Sequence, residues 1–310
     1  MSRGLYIELP MRTEMDRLWK LTQDPALHQR WDLRFSTIRY LPKPDEEAPQ
    51  QFVYETRIGF GLAIVGGGES TGTRSGMTGE RTSALRFWSD DAKSLVLTGA
   101  GYWKYIPEDD GSIRFFTWYD YQTRFGVLGR WFDAVLFRPM MGWATAWSFD
   151  RLRLWIEDDS APEAVLRSSI IYGICRGVVA FIWIWHGLVP KLLFHDAAEL
   201  AMLADAGVGP HWLPLIGAAE VIFGLWGLFA WRWRGFFVLT GVAMIGALIA
   251  VAFRSPAQLT AAFNPVTLNL GVVGLCVSGW LAYFNSAFAG RCRRKPQTTK
   301  REETSDAVHL

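Results

Sequence analysis

The stretch from Gly235 to Phe253 reads GFFVLTGVAMIGALIAVAF and contains no charged residue. A helix in a soluble bundle keeps a polar stripe, whereas roughly 20 apolar residues are enough to cross the hydrocarbon of a bilayer. This stretch therefore predicts a transmembrane helix, and it decides the fold class of the C-terminal half of the chain.

Three further apolar segments accompany this stretch and predict an all-α bundle of four membrane spans. The predicted spans are about 169–190, 212–232, 235–253 and 266–285. Of the 62 charged residues in the 310-residue chain, only ten lie between Leu166 and Gly290. Lys and Arg residues near the span ends gather on the side that carries both termini. This bias predicts a multi-pass protein of the cell membrane, the inner or plasma membrane, with both termini in the cytoplasm.

Residues 1–156 hold most of the charged residues and predict a soluble α+β domain. Alternating segments predict an opening strand, a helix, several antiparallel strands and a long C-terminal helix over about 126–156. Pro139 is expected to kink or divide that helix. The glycines 66–68 are expected to end a strand. A curved antiparallel sheet wrapped on a long helix leaves space between them for a small apolar molecule.

The same patterns give the domain boundaries and the classes of partner. Residues 157–168 are expected to be a linker, 169–288 the membrane domain, and 289–310 a disordered basic tail. The net charge of +2 gives no indication of a nucleic-acid partner. The expected partners are therefore membrane lipids and a hydrophobic small molecule, and the bundle could also receive a partner subunit.

Aromatic residues in the predicted strands are the candidates for a ligand site in the soluble domain. The candidates are Trp103, Tyr105, Phe115, Trp118, Tyr119 and Tyr121. Strand alternation divides such residues between two faces of the sheet, and the sequence does not show which set points inward. The alternative is that these side chains only fill the core.

Polar residues inside the predicted spans are the candidates for a second site, because such residues usually face the protein interior. They are His186, Lys191, Glu220, Asn264 and Asn269, which are expected to lie in the outer half of the bundle. This polar pocket would hold a quinone head group or relay a proton. The alternative is a buried ion pair that fixes the register of the helices.

Glycine spacing and a buried arginine add two expectations about the bundle. Gly217, Glu220 and Gly224 are spaced i, i+3, i+7, which places the carboxylate on a close-packing helix face. Arg176 lies near the cytoplasmic end of the first span, where its side chain is expected to snorkel toward lipid phosphates.

Motifs for catalysis are missing from the sequence, so no catalytic residue and no metal ligand is predicted. No histidine pair has metal-ligand spacing, and no Gly-x-Ser-x-Gly motif is present. No flavin, haem or iron–sulfur motif is evident, which leaves a quinone as the only cofactor under consideration. Whether a reaction is catalysed stays open, and a binding role is favoured over an enzymatic one.

The N-terminal half resembles a known superfamily through Trp19–Pro25 (WKLTQDP) and Trp31-Asp32, together with the element order. These features are similar to the start of the SRPBCC superfamily, the START-like or Bet v 1-like helix-grip domains. The resemblance covers roughly residues 1–156. It implies a cavity for a hydrophobic ligand such as a lipid or an isoprenoid, and no catalytic residue carries over from it.

The membrane half resembles the DoxX-like family of four-span proteins over about residues 169–285. The stretches that carry the resemblance are Gly187–Leu192 (GLVPKL), Gly217–Glu220 with Gly224, and Asn264-Pro265. Some relatives are named for quinone-linked sulfur oxidation with partner subunits. The resemblance therefore implies an alternative function, that of a quinone-linked redox subunit working with a partner dehydrogenase.

Overall fold

The computed structural model describes residues 4–260, 262 and 264–296, which form two compact units. The first unit contains the chain up to Val165 together with the described residues from Ala287 onward. The second unit contains Leu166–Ser286. The two flanks of the membrane half thus contribute to one unit.

A seven-stranded antiparallel sheet is the centre of the first unit, with strand order β1-β7-β6-β5-β4-β3-β2. The strands are β1 (Leu5–Met11), β2 (Thr37–Tyr40), β3 (Gln51–Gly59), β4 (Leu62–Ser75), β5 (Arg81–Trp88), β6 (Val96–Pro107) and β7 (Ile113–Thr123). Two helices, α1 (Met15–Gln23) and α2 (Pro25–Trp31), connect β1 to β2. Asp24 caps α2 by accepting the amides of Ala26 and Leu27.

The long C-terminal helix of this unit is divided as its proline predicts. It consists of α3 (Gly126–Phe132), a π-helical turn (Asp133–Phe137) and α4 (Arg138–Glu157). Pro139 lies in the first turn of α4, directly after the π-helical turn, so the change of helix type falls at the proline. The helix packs against the sheet, since the ring of Phe149 stacks on that of Phe115 with centroids 4.5 Å apart. The predicted helix-grip arrangement is therefore confirmed.

The glycines 66–68 do not end a strand, contrary to the expectation. Strand β4 continues through them, and the turn falls at Gly59–Gly61, where Phe60 has a φ of 51°. A Cβ atom at Gly66 would lie 2.3 Å from the ring of Tyr54 on the neighbouring strand. These glycines therefore make room for aromatic rings within the sheet.

The predicted linker and tail also differ from the structure. The helix α5 begins at Pro162, so that only residues 158–161 separate it from α4. The described part of the tail is ordered, because Glu8 and Arg293 exchange both backbone hydrogen bonds, at 3.0 and 2.9 Å. Arg293 thereby pairs with the free edge of β1 at Glu8. Basic composition suggested a solvated tail, but Phe288 and Cys292 are buried, and residues 297–310 lie outside the described part of the chain.

The second unit consists of helices that confirm the four predicted spans. Each of the four helical stretches is long and apolar enough to cross a bilayer. The helices are α5 (Pro162–His186) with its π-helical continuation (Gly187–Leu193), α6 (Ala197–Asp205), α7 (Leu213–Phe229), α8 (Gly235–Arg254) and α9 (Pro265–Tyr283). The short α6 lies between the first two spans and is capped by Asp196.

Glycines bring the first two spans into backbone contact. A Cβ atom at Gly217 of α7 would lie 2.7 Å from the carbonyl oxygen of Gly187, and one at Gly224 would lie 2.8 Å from that of Ala180. The predicted close-packing face of α7 therefore faces α5. By contrast, a Cβ at Gly246 of α8 or Gly274 of α9 would have no described atom within 4 Å.

Candidate functional site

The face of the sheet that points toward the long helix can be identified from Tyr121. Its hydroxyl donates a hydrogen bond of 2.6 Å to the Asp133 carboxylate in the π-helical turn. Residues directly opposite one another in register share a face. Tyr121 pairs with Gly99, Gly99 with Phe87, Phe87 with Gly68, and Gly68 with Phe52. This row therefore belongs to the helix-facing side, called the concave face below.

The row on the concave face alternates aromatic residues with glycines. A Cβ atom at Gly99 would lie 2.3 Å from the ring of Phe87, and one at Gly68 would lie 2.3 Å from the ring of Phe52. Each ring thus lies over the bare backbone of its neighbouring strand. Phe52 and Phe87 are only half-buried, so this part of the concave face offers apolar ring surface.

Five of the six aromatic candidates lie on the concave face and are buried, and they fall into two groups. In the first group Phe115 contacts both Trp103 and Tyr105, with ring centroids 5.8 Å and 4.9 Å apart. Tyr105 also bonds through its hydroxyl to Thr22 at 2.7 Å. Burial raises the pKa of this hydroxyl. These three residues fill the core at one end of the sheet.

Tyr119 and Tyr121 are nearer to the half-buried rings, whereas Trp118 lies on the other side of the sheet. The hydroxyl of Tyr119 lies 2.9 Å from that of Thr145 in α4. Trp118 alternates with Tyr119 along β7, so its side chain is on the opposite face, 39% exposed and stacked on Tyr102. The structure therefore separates Trp118 from the other candidates.

A buried polar cluster borders the concave face beside Tyr119. The Asp32 carboxylate accepts two bonds from Arg34, at 2.9 and 2.6 Å, and lies 3.0 Å from the His28 ring nitrogen Nε2. Burial alone would raise the pKa of Asp32, but Arg34 and His28 outweigh burial and lower it. Burial lowers the pKa of His28, whose ring stacks on Trp31. The Arg34 guanidinium lies 5.5 Å from the centre of the Tyr119 ring.

Sequence reasoning did not identify Phe52 and Phe87 as residues of this site. The available signal was the set of glycines in the facing strands, since a strand glycine often marks a close approach of another group. The glycines identify particular ring residues only when the register of the strands is known.

In the membrane unit, Lys191 lies at the centre of an ion cluster. Its Nζ is 3.0 Å from the Glu220 carboxylate of α7 and 3.3 Å from the Glu199 carboxylate of α6. It also donates to the carbonyl oxygen of His186 at 3.3 Å. The structure therefore brings together three of the predicted polar residues, His186, Lys191 and Glu220.

The two predicted asparagines have other contacts. Asn269 donates to the carbonyl oxygen of Met244 in α8 at 3.3 Å, and Asn264 caps α9 by accepting the amide of Thr267 at 3.1 Å. Glu199 was missed as a member of the ion cluster. It lies in the first turn of α6, between two spans, but only the folded chain shows that it meets Lys191.

Arg176 is fully buried and does not extend toward lipid phosphates, contrary to the expectation. Its guanidinium donates to the carbonyl oxygens of Gly227 and Ala230, both at 2.6 Å, and of Trp233 at 3.2 Å. These carbonyl groups are at the C-terminal end of α7 and in the turn that follows. A cation is stabilised at such an end because the helix dipole is negative there.

These observations define a class of protein: a multi-pass membrane protein that joins a helix-grip domain to a four-span bundle. Residues 180–277 match the DoxX-like family. The chain is also 43% identical to the uncharacterised membrane protein YndG of Bacillus subtilis (strain 168) over 225 residues, 72% of this chain and 82% of that protein. The chain belongs to the family of YndG, and its own residues 180–277 are DoxX-like.

Several solved structures are similar to the chain at low identity. The hypothetical protein jhp0584 of Helicobacter pylori has a TM-score of 0.39 and 15% identity, covering 49% of this chain and 86% of that one. The STAR-related lipid transfer protein of Xanthomonas axonopodis has a TM-score of 0.35 and 14% identity, covering 48% and 82%. The Zhui aromatase/cyclase of Streptomyces sp. R1128 has a TM-score of 0.36 and 13% identity, covering 49% and 96%.

Proposed function

We propose that the helix-grip domain binds an apolar small molecule, lipid-like or isoprenoid-like, on the concave face between sheet and helix. One observation carries the proposal: the rings of Phe52 and Phe87 lie over the glycines of neighbouring strands and stay half-buried. Ligand sites are mostly apolar and aromatic, with a few polar groups that fix orientation. The buried cluster of Asp32 and Arg34 supplies polar groups at the border of this surface.

A photoactivatable ligand tests this proposal on the full-length protein in nanodiscs. A diazirine-bearing fatty acid is added and irradiated, and the labelled peptides are identified by mass spectrometry. We expect labels on β3 to β5, and at least a fivefold loss of these labels in Phe87→Ser. Trp118→Ser is the matched control, because it removes an aromatic ring from the opposite face and should leave the labels in place.

The contrary results of this experiment are equally specific. Labels confined to the spans would overturn the proposal. An equal loss in Phe87→Ser and Trp118→Ser would point to general destabilisation, so the thermal unfolding of both variants is measured alongside. A specific loss requires that both variants melt within a few degrees of the wild type.

We also propose that the helix-grip domain faces the cytoplasm. Residues before the first span and after the last one belong to one unit, which supports a topology with both on the same side of the membrane. The basic residues at that side favour the cytoplasmic one. Protease added to intact cells should leave the domain uncut, while protease added to inverted vesicles should digest it.

A second candidate function is that of a quinone-linked redox subunit, and the ion cluster at Lys191 supports it. A lysine paired with a carboxylate of a second span is a functional-site candidate. The π-helical turn that carries Lys191 is a form frequent at functional sites. Decylubiquinone should bind to the wild type and bind at least tenfold more weakly to Glu220→Gln. Asn269→Ala is the control, because Asn269 bonds to Met244 instead; equal binding by all three proteins would exclude a quinone at this cluster.

A further inference from the structure

An apolar stripe follows the exposed side of α3, the π-helical turn and the start of α4. Its members are between 48% and 72% exposed: Leu128, Trp131, Val135, Leu136, Met140 and Trp143. They recur at intervals of three or four residues, with Val135 and Leu136 adjacent, which places them along one side of a helix. This stripe is not part of the concave face or of the ion cluster.

The other side of the same helical stretch is buried against the rest of the first unit. Gly129, Asp133, Gly142 and Thr145 are all buried there, and Asp133 accepts a hydrogen bond from Tyr121 of β7. Packing within the unit therefore determines which side is exposed. A stripe of six large apolar side chains is more than the isolated exposed apolar residues usual in soluble domains.

We infer that this stripe lies in the interface of the lipid bilayer. Two of its six members are Trp, the residue enriched at the boundary between water and hydrocarbon. Arg130 is exposed and stands beside Trp131 in the sequence, as in helices that bind an anionic membrane surface. The charged residues that a solvated helix would carry are missing from the stripe itself.

The helix that carries the stripe is covalently connected to the first span, and this connection keeps it close to the bilayer. Residues 158–161 alone separate the end of α4 from the start of α5, and four residues extend to at most about 14 Å. The helix that carries the stripe is thus tethered at its C-terminal end near a membrane. The inference does not depend on a ligand at the concave face, because a domain can rest on lipid while its interior is empty.

Spin-label accessibility tests this inference on the full-length protein in nanodiscs of phosphatidylcholine and phosphatidylglycerol, at one protein per disc. Labels are attached to Leu128→Cys and Val135→Cys, with Asp109→Cys in the exposed β6–β7 turn as the water reference and Val277→Cys in α9 as the lipid reference. The three native cysteines are buried. We expect oxygen to relax both stripe labels at least threefold more than nickel-EDDA does, as it does at position 277.

Two results would overturn the inference. Stripe labels that respond to nickel-EDDA as strongly as the label at position 109 would show that the stripe faces water. Stripe labels shielded from both reagents would show that protein covers it, and spin–spin broadening at two proteins per disc would identify a second copy. Near-native melting of each labelled variant ensures that the accessibilities describe the folded domain.

Discussion

The Asp150 carboxylate accepts the backbone amide of Phe288 at 2.7 Å, although the two residues lie on opposite sides of the membrane half in sequence. Asp150 also pairs with Arg153 at 2.8 Å and with Arg291 at 3.3 Å, and its side chain is fully buried. This residue of α4 therefore fastens the chain that follows the last span to the helix-grip domain.

Replacing Asp150 by alanine should release this segment. Losing one partner of a buried ion pair costs about 3–5 kcal/mol. Cys292 is in the docked segment, and its thiol donates a hydrogen bond to the carbonyl oxygen of Ala146 in α4. Burial raises the pKa of the Cys292 thiol to about 12. Maleimide should therefore label Cys292 more than about 100-fold faster in Asp150→Ala than in the wild type, since every 1.4 kcal/mol is about tenfold. Unchanged labelling of Cys292 would show that the segment stays docked without the carboxylate.

Truncation tests the same attachment without a point substitution. A chain that ends at Ser286 loses the strand pairing to Glu8 and the contacts of Asp150, and its soluble domain should melt about 10 °C lower. The control ends at Pro296 and keeps every described contact of the segment. Equal melting of the two truncated proteins would contradict a stabilising role.

Arg176 should be essential for the stability of the bundle. Arg176→Met leaves the carbonyl groups of Gly227 and Ala230 without this donor, and each buried unsatisfied group costs about 1–3 kcal/mol. The variant should lose its monodisperse peak in detergent at temperatures that the wild type tolerates, as measured by size exclusion after heating. Arg254→Gln, at the exposed end of α8, is the control and should behave like the wild type.

The stability of the bundle should depend on the ion pairs between Lys191 and its two carboxylate partners. Lys191→Met leaves Glu199 and Glu220 close together without the shared cation, so it should destabilise the bundle by about 3–5 kcal/mol. Adding Glu220→Gln to that variant should restore most of the loss, because one buried charge is removed. Heating in detergent measures both. A double variant that is no more stable than the single one would mean that the ion cluster does not fix the register of α5 and α7.

The pH dependence of the helix-grip domain should include a contribution from His28. Its pKa in the folded domain is lowered by burial, so the unfolded chain binds the proton more readily. The stability that the neutral ring provides is complete above about pH 6.5 and decreases as the pH falls below it, by at most about 1.4 kcal/mol per pH unit. His28→Gln should remove this part of the slope between pH 7 and pH 5 in thermal unfolding, and an identical slope would refute the assignment.

Glycine 217 should tolerate no larger side chain. Gly217→Leu would collide with the carbonyl oxygen of Gly187, 2.7 Å from the position of a Cβ atom, and should separate α5 from α7. Gly246→Leu is the matched control, because the described chain leaves open space there. The melting temperatures of the two variants are compared in detergent. A loss in Gly217→Leu alone shows that the contact with the Gly187 backbone matters, whereas equal losses would show a general effect of a larger side chain in a span.

The sequence predicted what depends on local pattern. Gly235–Phe253 needed only its composition to be recognised as a span, and Pro139 predicted the division of the long helix through the geometry of its ring. Tertiary pairing decided the rest. Trp118 and Tyr119 are equally aromatic neighbours, and only the register of β7 against β6 shows which of them faces the helix.

Long-range contacts explain the other differences. Glu199 and Lys191 are charged residues in separate elements, and no local pattern relates them. The glycines 66–68 look like the end of a strand in the sequence. The rings that explain them come from the neighbouring strands β3 and β5, which no local pattern relates to them. The segment after Ser286 resembles a solvated tail because its partner, the edge of β1, is at the other end of the sequence.

The pairing of Glu8 with Arg293 sets an order of events during biogenesis. Strand β1 is synthesised before the four spans, but its edge partner Arg293 is synthesised only after the last span. The outer edge of β1 therefore lacks this partner until the four spans have been synthesised. A ribosome that stalls before Arg293 would therefore leave this edge of the sheet open at Glu8.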